Sequence, residues 1–368
     1  MGVIAIAPHE CGEEDVRDWM RYEKVCLESF GYELPERVVT SLSLEERLAP
    51  VYEKLNLSYG RLELLTGIRE RRFWDDDIAP SQVSMRAAEK ALRESGVNKE
   101  DIGCLLHTSV SRDFLEPATA TVVHDSLGLP PATMIFDISN ACLGFINGMV
   151  TLANMIELGQ VKAGVVVGCE NSKRLVDTTI EKLLRDPDVT RARLKLAFAT
   201  LTLGSGAVAA VLTHSSISRD GHRLLGGVTR AASQHNGLCR IEADASYLDT
   251  EELPDMHTDF EGILKNGLSL APVTWEAIKH ELQWSSSDVD RYFTHQVSAA
   301  HSRLLFQALG LDSSKDFSTV EYLGNVGSVS LPVTMAIGVD QGRLNQGDRI
   351  AALGIGSGLV CLMMGLQW

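Results

Sequence analysis

Short aliphatic and β-branched runs alternate along this chain with longer segments in which apolar residues recur every three or four positions. An opening strand is expected at Val25–Ser29, ahead of a loop at Glu33–Pro35, with further strands at Gly103–Ser109, Met134–Ile138, Ala163–Gly168 and Ala207–Leu212. Helical spacing predicts Ser81–Ser95, Ala118–Leu127 and Leu143–Leu158, and Pro117 stands at the start of the middle one, where its missing N–H is harmless. A second round follows: helix Leu268–Leu282, strand Arg291–Thr294, helices Ser298–Leu309 and Leu331–Gln341, and strands Arg349–Gly354 and Leu359–Met364. The strand runs are almost wholly apolar, as strands covered on both faces require.

Two such rounds with no Pro- or Ser-rich linker between them predict an α/β protein of two related halves sharing one core. Residues 1–24 form a polar N-terminal extension in this reading, 25–218 the first half and 219–368 the second. No repeat is visible by residue identity, so the duplication rests on element order.

With 368 residues, 45% of them apolar, the chain is long enough to bury a sizeable core. A net charge of -15 argues against a nucleic-acid surface, which needs clustered Lys and Arg. Seven cysteines without a C-x-x-C pair fit neither a disulfide framework nor a zinc site. The start has no basic n-region, and no stretch approaches the roughly 20 apolar residues of a spanning helix. A soluble cytoplasmic protein without a metal is expected.

The strongest chemical signal is Asp137-Ile138-Ser139-Asn140-Ala141-Cys142-Leu143-Gly144-Phe145, where a buried-type strand runs through small residues to a cysteine at a helix start. A helix N-terminus lowers a thiol's pKa and offers free N–H groups, which makes Cys142 a candidate nucleophile beside part of an oxyanion hole. The plainer alternative is a small buried cysteine, and the other six cysteines keep that reading. His295, after a strand, and Asn325, in a Gly-Asn-x-Gly turn, are ordinary structural residues taken singly. Taken with Cys142 they supply the neutral N–H donors that a developing enolate or thioester oxyanion needs. Gly356-Ser357-Gly358 lacks the spacing of a dinucleotide-binding loop, but its glycines permit close backbone approach.

The blocks Asn140-Ala141-Cys142, Thr294-His295-Gln296 and Gly324-Asn325-Val326-Gly327-Ser328 together resemble the 3-oxoacyl-(acyl carrier protein) synthase III branch of the thiolase superfamily, over essentially all of residues 25–368. Further blocks, Thr108–Pro117, Gly226–Arg230 and Leu353–Leu359, resemble the subgroup that condenses two acyl thioesters in bacterial head-to-head olefin biosynthesis. The resemblance implies a five-layer αβαβα thiolase fold of two duplicated halves. It also implies a homodimeric acyltransferase in which Cys142, His295 and Asn325 meet at one site, with the Gly358 N–H completing the oxyanion hole and Ser357 assisting. Long-chain acyl-CoA and free CoA are then substrate and product, no resident cofactor is required, and downstream olefin-pathway enzymes are possible partners.

Glu116 separates the chemistries the family runs. A carboxylate before Pro117 is normally a solvated surface group. In the resembling subgroup this loop crosses the dimer interface and its Glu enters the partner's site, where it removes an α-proton. A malonyl donor needs no such base, because it makes its carbanion by losing carbon dioxide. Two departures from the ordinary synthases bear on this: Val297-Ser298 follows His295-Gln296 where they carry Ala-Asn, and Arg61 stands where they place a Trp against the CoA adenine. Arg69, Arg71 and Arg72 are open to two readings, contacts to CoA phosphates (Arg69 and Arg72) or a solvated basic face, and the second fits an ordinary surface better. A decarboxylating synthase III with a malonyl donor is the nearest rival, and a catalytically silent acyl-binding dimer is the rival from another class.

Overall fold

The structure, a computed structural model, describes residues 20–242 and 255–368. The expected N-terminal extension therefore lies outside the described residues as far as residue 19. Its last residues are tightly held: Met20 and Tyr22 are buried, the Tyr22 N–H donates to Leu225 O, and Met20 O accepts from the Gly227 N–H.

Nine strands form one mixed sheet, in the spatial order Arg291–Thr294, Arg349–Gly356, Val360–Gln367, Arg223–Ala231, Val25–Glu33, Gly206–His214, Ala163–Glu170, Ile102–His107 and Met134–Asp137. Its two parts meet at Val25–Glu33 and Arg223–Ala231, which share a single register pair, Cys26 with Arg223. Ile102–His107 runs parallel to both Met134–Asp137 and Ala163–Glu170, and Arg291–Thr294 runs parallel to Arg349–Gly356.

Period-two alternation explains the layers. Val165, Val167, Ala207, Ala209 and Val211 face outward onto helices Pro80–Ser95 and Thr119–Leu127. Their neighbours Val166, Val208, Ala210 and Leu212 face inward onto helices Gly144–Glu157 and Ser330–Asp340. In the other part Ile350, Ala352, Leu362 and Met364 face the same two inner helices, whereas Ala351, Leu353, Cys361 and Met363 face Phe260–Leu282 and Ala299–Leu309. The result is helix, sheet, helix, sheet, helix: the expected five-layer αβαβα arrangement.

The elements differ from expectation where packing outweighs pattern. The opening strand continues to Glu33 because Gly31 lies against the backbone of Ala87 and Ala91, where any Cβ would collide, and Ser29 donates its hydroxyl to Ala91 O. The helix expected from Leu268 begins at Phe260, capped by the Asp259 carboxylate on the Gly262 N–H. Helices Lys173–Arg185 and Arg191–Leu201 were not among the expected elements, although Val176, Thr179, Ile180 and Leu183 give the first a helical apolar stripe. They close a separate apolar cluster around Leu44, Tyr52, Val176 and Leu201.

Candidate active site

Cys142 follows the carboxyl end of parallel strand Met134–Asp137, and His295 directly follows that of parallel strand Arg291–Thr294. Carboxyl ends of parallel strands are where α/β sheets place their ligands. Cys142 sits on a tight turn closed by the Leu143 N–H on Asn140 O at 2.9 Å. Ala141 before it has φ +43, an uncommon conformation for a residue with a side chain and of the kind found at functional turns. Opposite, Gly356 allows close approach: a Cβ there would stand 3.0 Å from Leu143 Cγ and 3.6 Å from Cys142 Cβ.

Cys142, His295, Asn325 and Ser357 all line one cavity of about 250 Å³. Most of its remaining wall is apolar, from Leu65, Phe198, Met256, Phe260, Ile263, Leu264 and Ile355. Lys195 is the one lining residue with a fixed charge among the described residues, and it pairs with Glu261.

Burial pushes the Cys142 thiol up to about 12, Cys239 and Glu170 nearby push the same way, and the N–H groups of Ser357 and of Cys142 itself oppose them. This corrects the expectation of a lowered pKa. The helix begins at Gly144, two residues beyond the sulfur, and enclosure outweighs its dipole. Burial takes His295 down to about 3, with His301 adding to the shift, so the imidazole is neutral at pH 7. The Nδ1 atoms of both histidines are buried without a partner, so Nε2 is the nitrogen each ring turns to the cavity.

Asn325 is gripped through its backbone, its N–H on Thr202 O and its carbonyl taking the Gly204 N–H, both at 2.9 Å. Its Oδ1 accepts from the Gly327 N–H at 3.1 Å and the Ser330 hydroxyl at 3.4 Å, which leaves the NH₂ to donate.

Other sequence candidates lie elsewhere. Gly358, at φ +133, is one residue beyond the cavity wall, and the N–H directed at Cys142 is that of Ser357. Glu116 is exposed and outside the cavity of its own chain, on a loop where Leu115 is 78% and Phe114 53% exposed. Arg69 is paired with Glu321, and Arg72 donates to Pro35 O; neither reaches the cavity. Arg71 is not part of a solvated face, because its guanidinium is fully buried, with Nη2 on the Ser41 hydroxyl and Leu201 O. Burial brings it down to about 10.

The sequence reading missed four contributors. His301 lines the cavity, held at the start of Ala299–Leu309 by the Ser298 hydroxyl on its N–H; its separation from His295, six positions on, was the available signal. Lys195 and Cys239 carried none. Glu170, the last residue of an apolar strand, is buried against the Asn325 loop, and a charge ending such a run was a clue.

The chain belongs to the 3-oxoacyl-(acyl carrier protein) synthase III family of thiolase-fold condensing enzymes. The family described as 3-Oxoacyl-[acyl-carrier-protein (ACP)] synthase III matches residues 136–232, and its C-terminal counterpart matches residues 280–368. Within it, the chain is 44% identical to the acyl-CoA:acyl-CoA alkyltransferase of Shewanella oneidensis, over 95% of this chain and all of that protein. A crystal structure of Xanthomonas campestris OleA with lauric acid and lauroyl-CoA superposes with a TM-score of 0.88 at 38% identity, covering 94% of this chain and 100% of that one. The β-ketoacyl-[acyl-carrier-protein] synthase III of Bacillus pumilus is more distant, at 29% over 92% of this chain and 97% of its own length.

Proposed function

We propose that this acyltransferase joins two long-chain fatty acyl-CoA thioesters by non-decarboxylative Claisen condensation, giving a 2-alkyl-3-oxoacyl product that leaves as the β-keto acid and feeds olefin biosynthesis. The observation that carries the proposal is the convergence of Cys142, His295 and Asn325 on one largely apolar cavity.

Cys142 sulfur attacks the first thioester carbonyl, the carbon–sulfur bond to CoA breaks, and the proton lost by the thiol passes to the departing CoA sulfur, so that free CoA leaves. The N–H groups of Cys142 and of the Ser357–Gly358 turn hold the tetrahedral oxyanion. A second acyl-CoA then enters, and the partner subunit's Glu116 takes its α-proton. Neutral His295 and the Asn325 NH₂ donate to the enolate oxygen, and the carbanion attacks the acyl-Cys142 carbonyl, expelling the Cys142 thiolate, which takes up the proton held by the partner's Glu116. Water then cleaves the remaining CoA thioester, giving the β-keto acid and the second free CoA. The homodimer is supported by the exposed Phe114 and Leu115 beside Glu116, and by Met134–Asp137, an edge strand with one side unpaired among the described residues. A cytoplasmic location agrees with the six described cysteines, all free. No helix of the described residues is long and apolar enough to cross a membrane.

Intact-mass and product analysis after incubation with one long-chain acyl-CoA and no malonyl donor tests the reading. Free CoA, acyl-Cys142 and a β-keto product are expected. Product only when a malonyl donor is supplied, with carbon dioxide released, would establish the decarboxylating reaction instead.

A further inference from the structure

Glu170 closes strand Ala163–Glu170 with a buried carboxylate, and among the described residues no Lys or Arg pairs with it. Neutral donors hold it instead, and they come from two distant stretches of chain. Oε1 accepts from the Val110 N–H at 3.0 Å, the Ser328 hydroxyl at 2.5 Å and the Ser328 N–H at 3.4 Å. Oε2 accepts from the Ser111 N–H at 3.1 Å and the Ser111 hydroxyl at 2.9 Å.

Val110 and Ser111 open the loop that carries Glu116, and Ser328 lies three residues after Asn325. The Asn325 loop is drawn closely over the carboxylate, since a Cβ on Gly327, at φ +54, would come within 3.1 Å of Glu170 Cγ. The Ser328 hydroxyl has a second acceptor in Thr108 O at 3.0 Å, but the three N–H groups and the Ser111 hydroxyl are four donors that need a group that only accepts. An ionised carboxylate offers about four lone-pair sites, whereas a carboxamide would turn an NH₂ toward N–H and O–H groups. Burying an unpaired charge is expensive, so a carboxylate kept here has a task beyond filling space.

We propose that Glu170 is a positioning residue that ties the Asn325 loop of its own cavity to the Glu116 loop, so that one carboxylate sets condensation geometry in two active sites, its own and the partner's. The proposal rests on the reading of Glu116 as a base acting across the dimer.

The test uses purified heterodimers. In the reference pair one subunit carries Cys142→Ser and the other Glu116→Gln, so the single complete site combines Cys142 and Asn325 of the second subunit with Glu116 of the first. Adding Glu170→Gln to the Cys142→Ser subunit reaches that site only through the Glu116 loop. Condensation is expected to fall about a hundredfold, the scale of a misplaced reacting group. Acyl-enzyme still forms on the intact Cys142, whose own subunit keeps Glu170. Moving Glu170→Gln to the other subunit acts through Asn325 and should also slow condensation.

Ser111→Ala in the Cys142→Ser subunit and Ser328→Ala in the other loosen one arm each, by about tenfold, without removing the carboxylate. They replace Glu170→Gln if its circular dichroism shows a fold defect. A reference heterodimer without activity overturns Glu116 in trans and the two-site link with it. An active reference whose condensation is unmoved by Glu170→Gln or by Ser111→Ala in the Cys142→Ser subunit overturns the link alone.

Discussion

The backbone N–H of Gly327 donates to Oδ1 of Asn325 at 3.1 Å, and that bond orients the amide with its NH₂ free for the substrate. Asn325→Asp keeps an acceptor for Gly327 while replacing the donor by an oxygen. Condensation is expected to drop by about a hundredfold or more, as on loss of one preorganised oxyanion donor, with acylation of Cys142 retained. Single-turnover measurements that separate CoA release from product formation check this. An equal loss in both steps would count against a donor acting on the second substrate.

Cys142→Ser should abolish acyl transfer, because a hydroxyl is a far weaker nucleophile in the same turn. Enclosure also holds the wild-type thiol up to about 12, so iodoacetamide modification of Cys142 should be slow at pH 7 and keep rising through pH 9 without a plateau. Peptide mapping reads it separately from Cys239, which lines the same cavity. A plateau below pH 8 would mean that the helix start governs the thiol after all.

Glu116→Gln keeps the shape of the side chain and removes the base, so acyl-Cys142 should accumulate while condensation fails. Size-exclusion chromatography with light scattering should find a dimer. Substituting Leu115 and Phe114 by Ser should weaken it, since these exposed apolar side chains need a partner to cover them. A monomer with full condensing activity would refute action across an interface.

Three buried histidines give the pH dependence a sign. Burial holds His107 and His301 down to about 4 and His295 to about 3, against an ordinary value of about 6.5. Between those values the unfolded chain binds protons that the folded chain excludes. Their contribution is therefore complete above about pH 6.5 and is lost as pH falls through 4. Calorimetry should show Tm nearly level from pH 7 to 8 and falling steeply from 6.5 to 4.5, with a shallower slope in His107→Gln. Because His295 stays neutral, the condensation rate should show no inflection near pH 6.5 from this group.

Eight of the nine sheet strands were legible, most plainly where both faces are covered, which imposes unbroken apolar runs such as Ala163–Glu170; Arg223–Ala231, exposed at both ends, was not. Helix Arg191–Leu201 was not, since it divides its surface between a packed cluster at Leu194 and Leu201 and the cavity at Lys195, Phe198 and Ala199, which erases the amphipathic stripe. Cys142, His295 and Asn325 were found as motifs. That they share a cavity follows from strand order, which no local pattern encodes. Arg71 was misjudged because a guanidinium held at Nη1 and Nη2 by carbonyls and a hydroxyl leaves no acidic partner in the sequence to betray its burial.

The cavity draws its reactive groups from strand ends and the turns beside them, yet much of its apolar wall from Arg191–Leu201, Phe260–Leu282 and the antiparallel strand pair Cys239–Glu242 and Asp255–Thr258. Reactivity and fit are thus written on separate parts of the molecule. Substitutions at Phe198, Met256 or Ile263 can reshape the space for an alkyl tail without disturbing the turns that hold the sulfur and the amide. Such a division lets a lineage, or a protein engineer, retune which chain lengths are accepted while the bond-forming apparatus stays as it is.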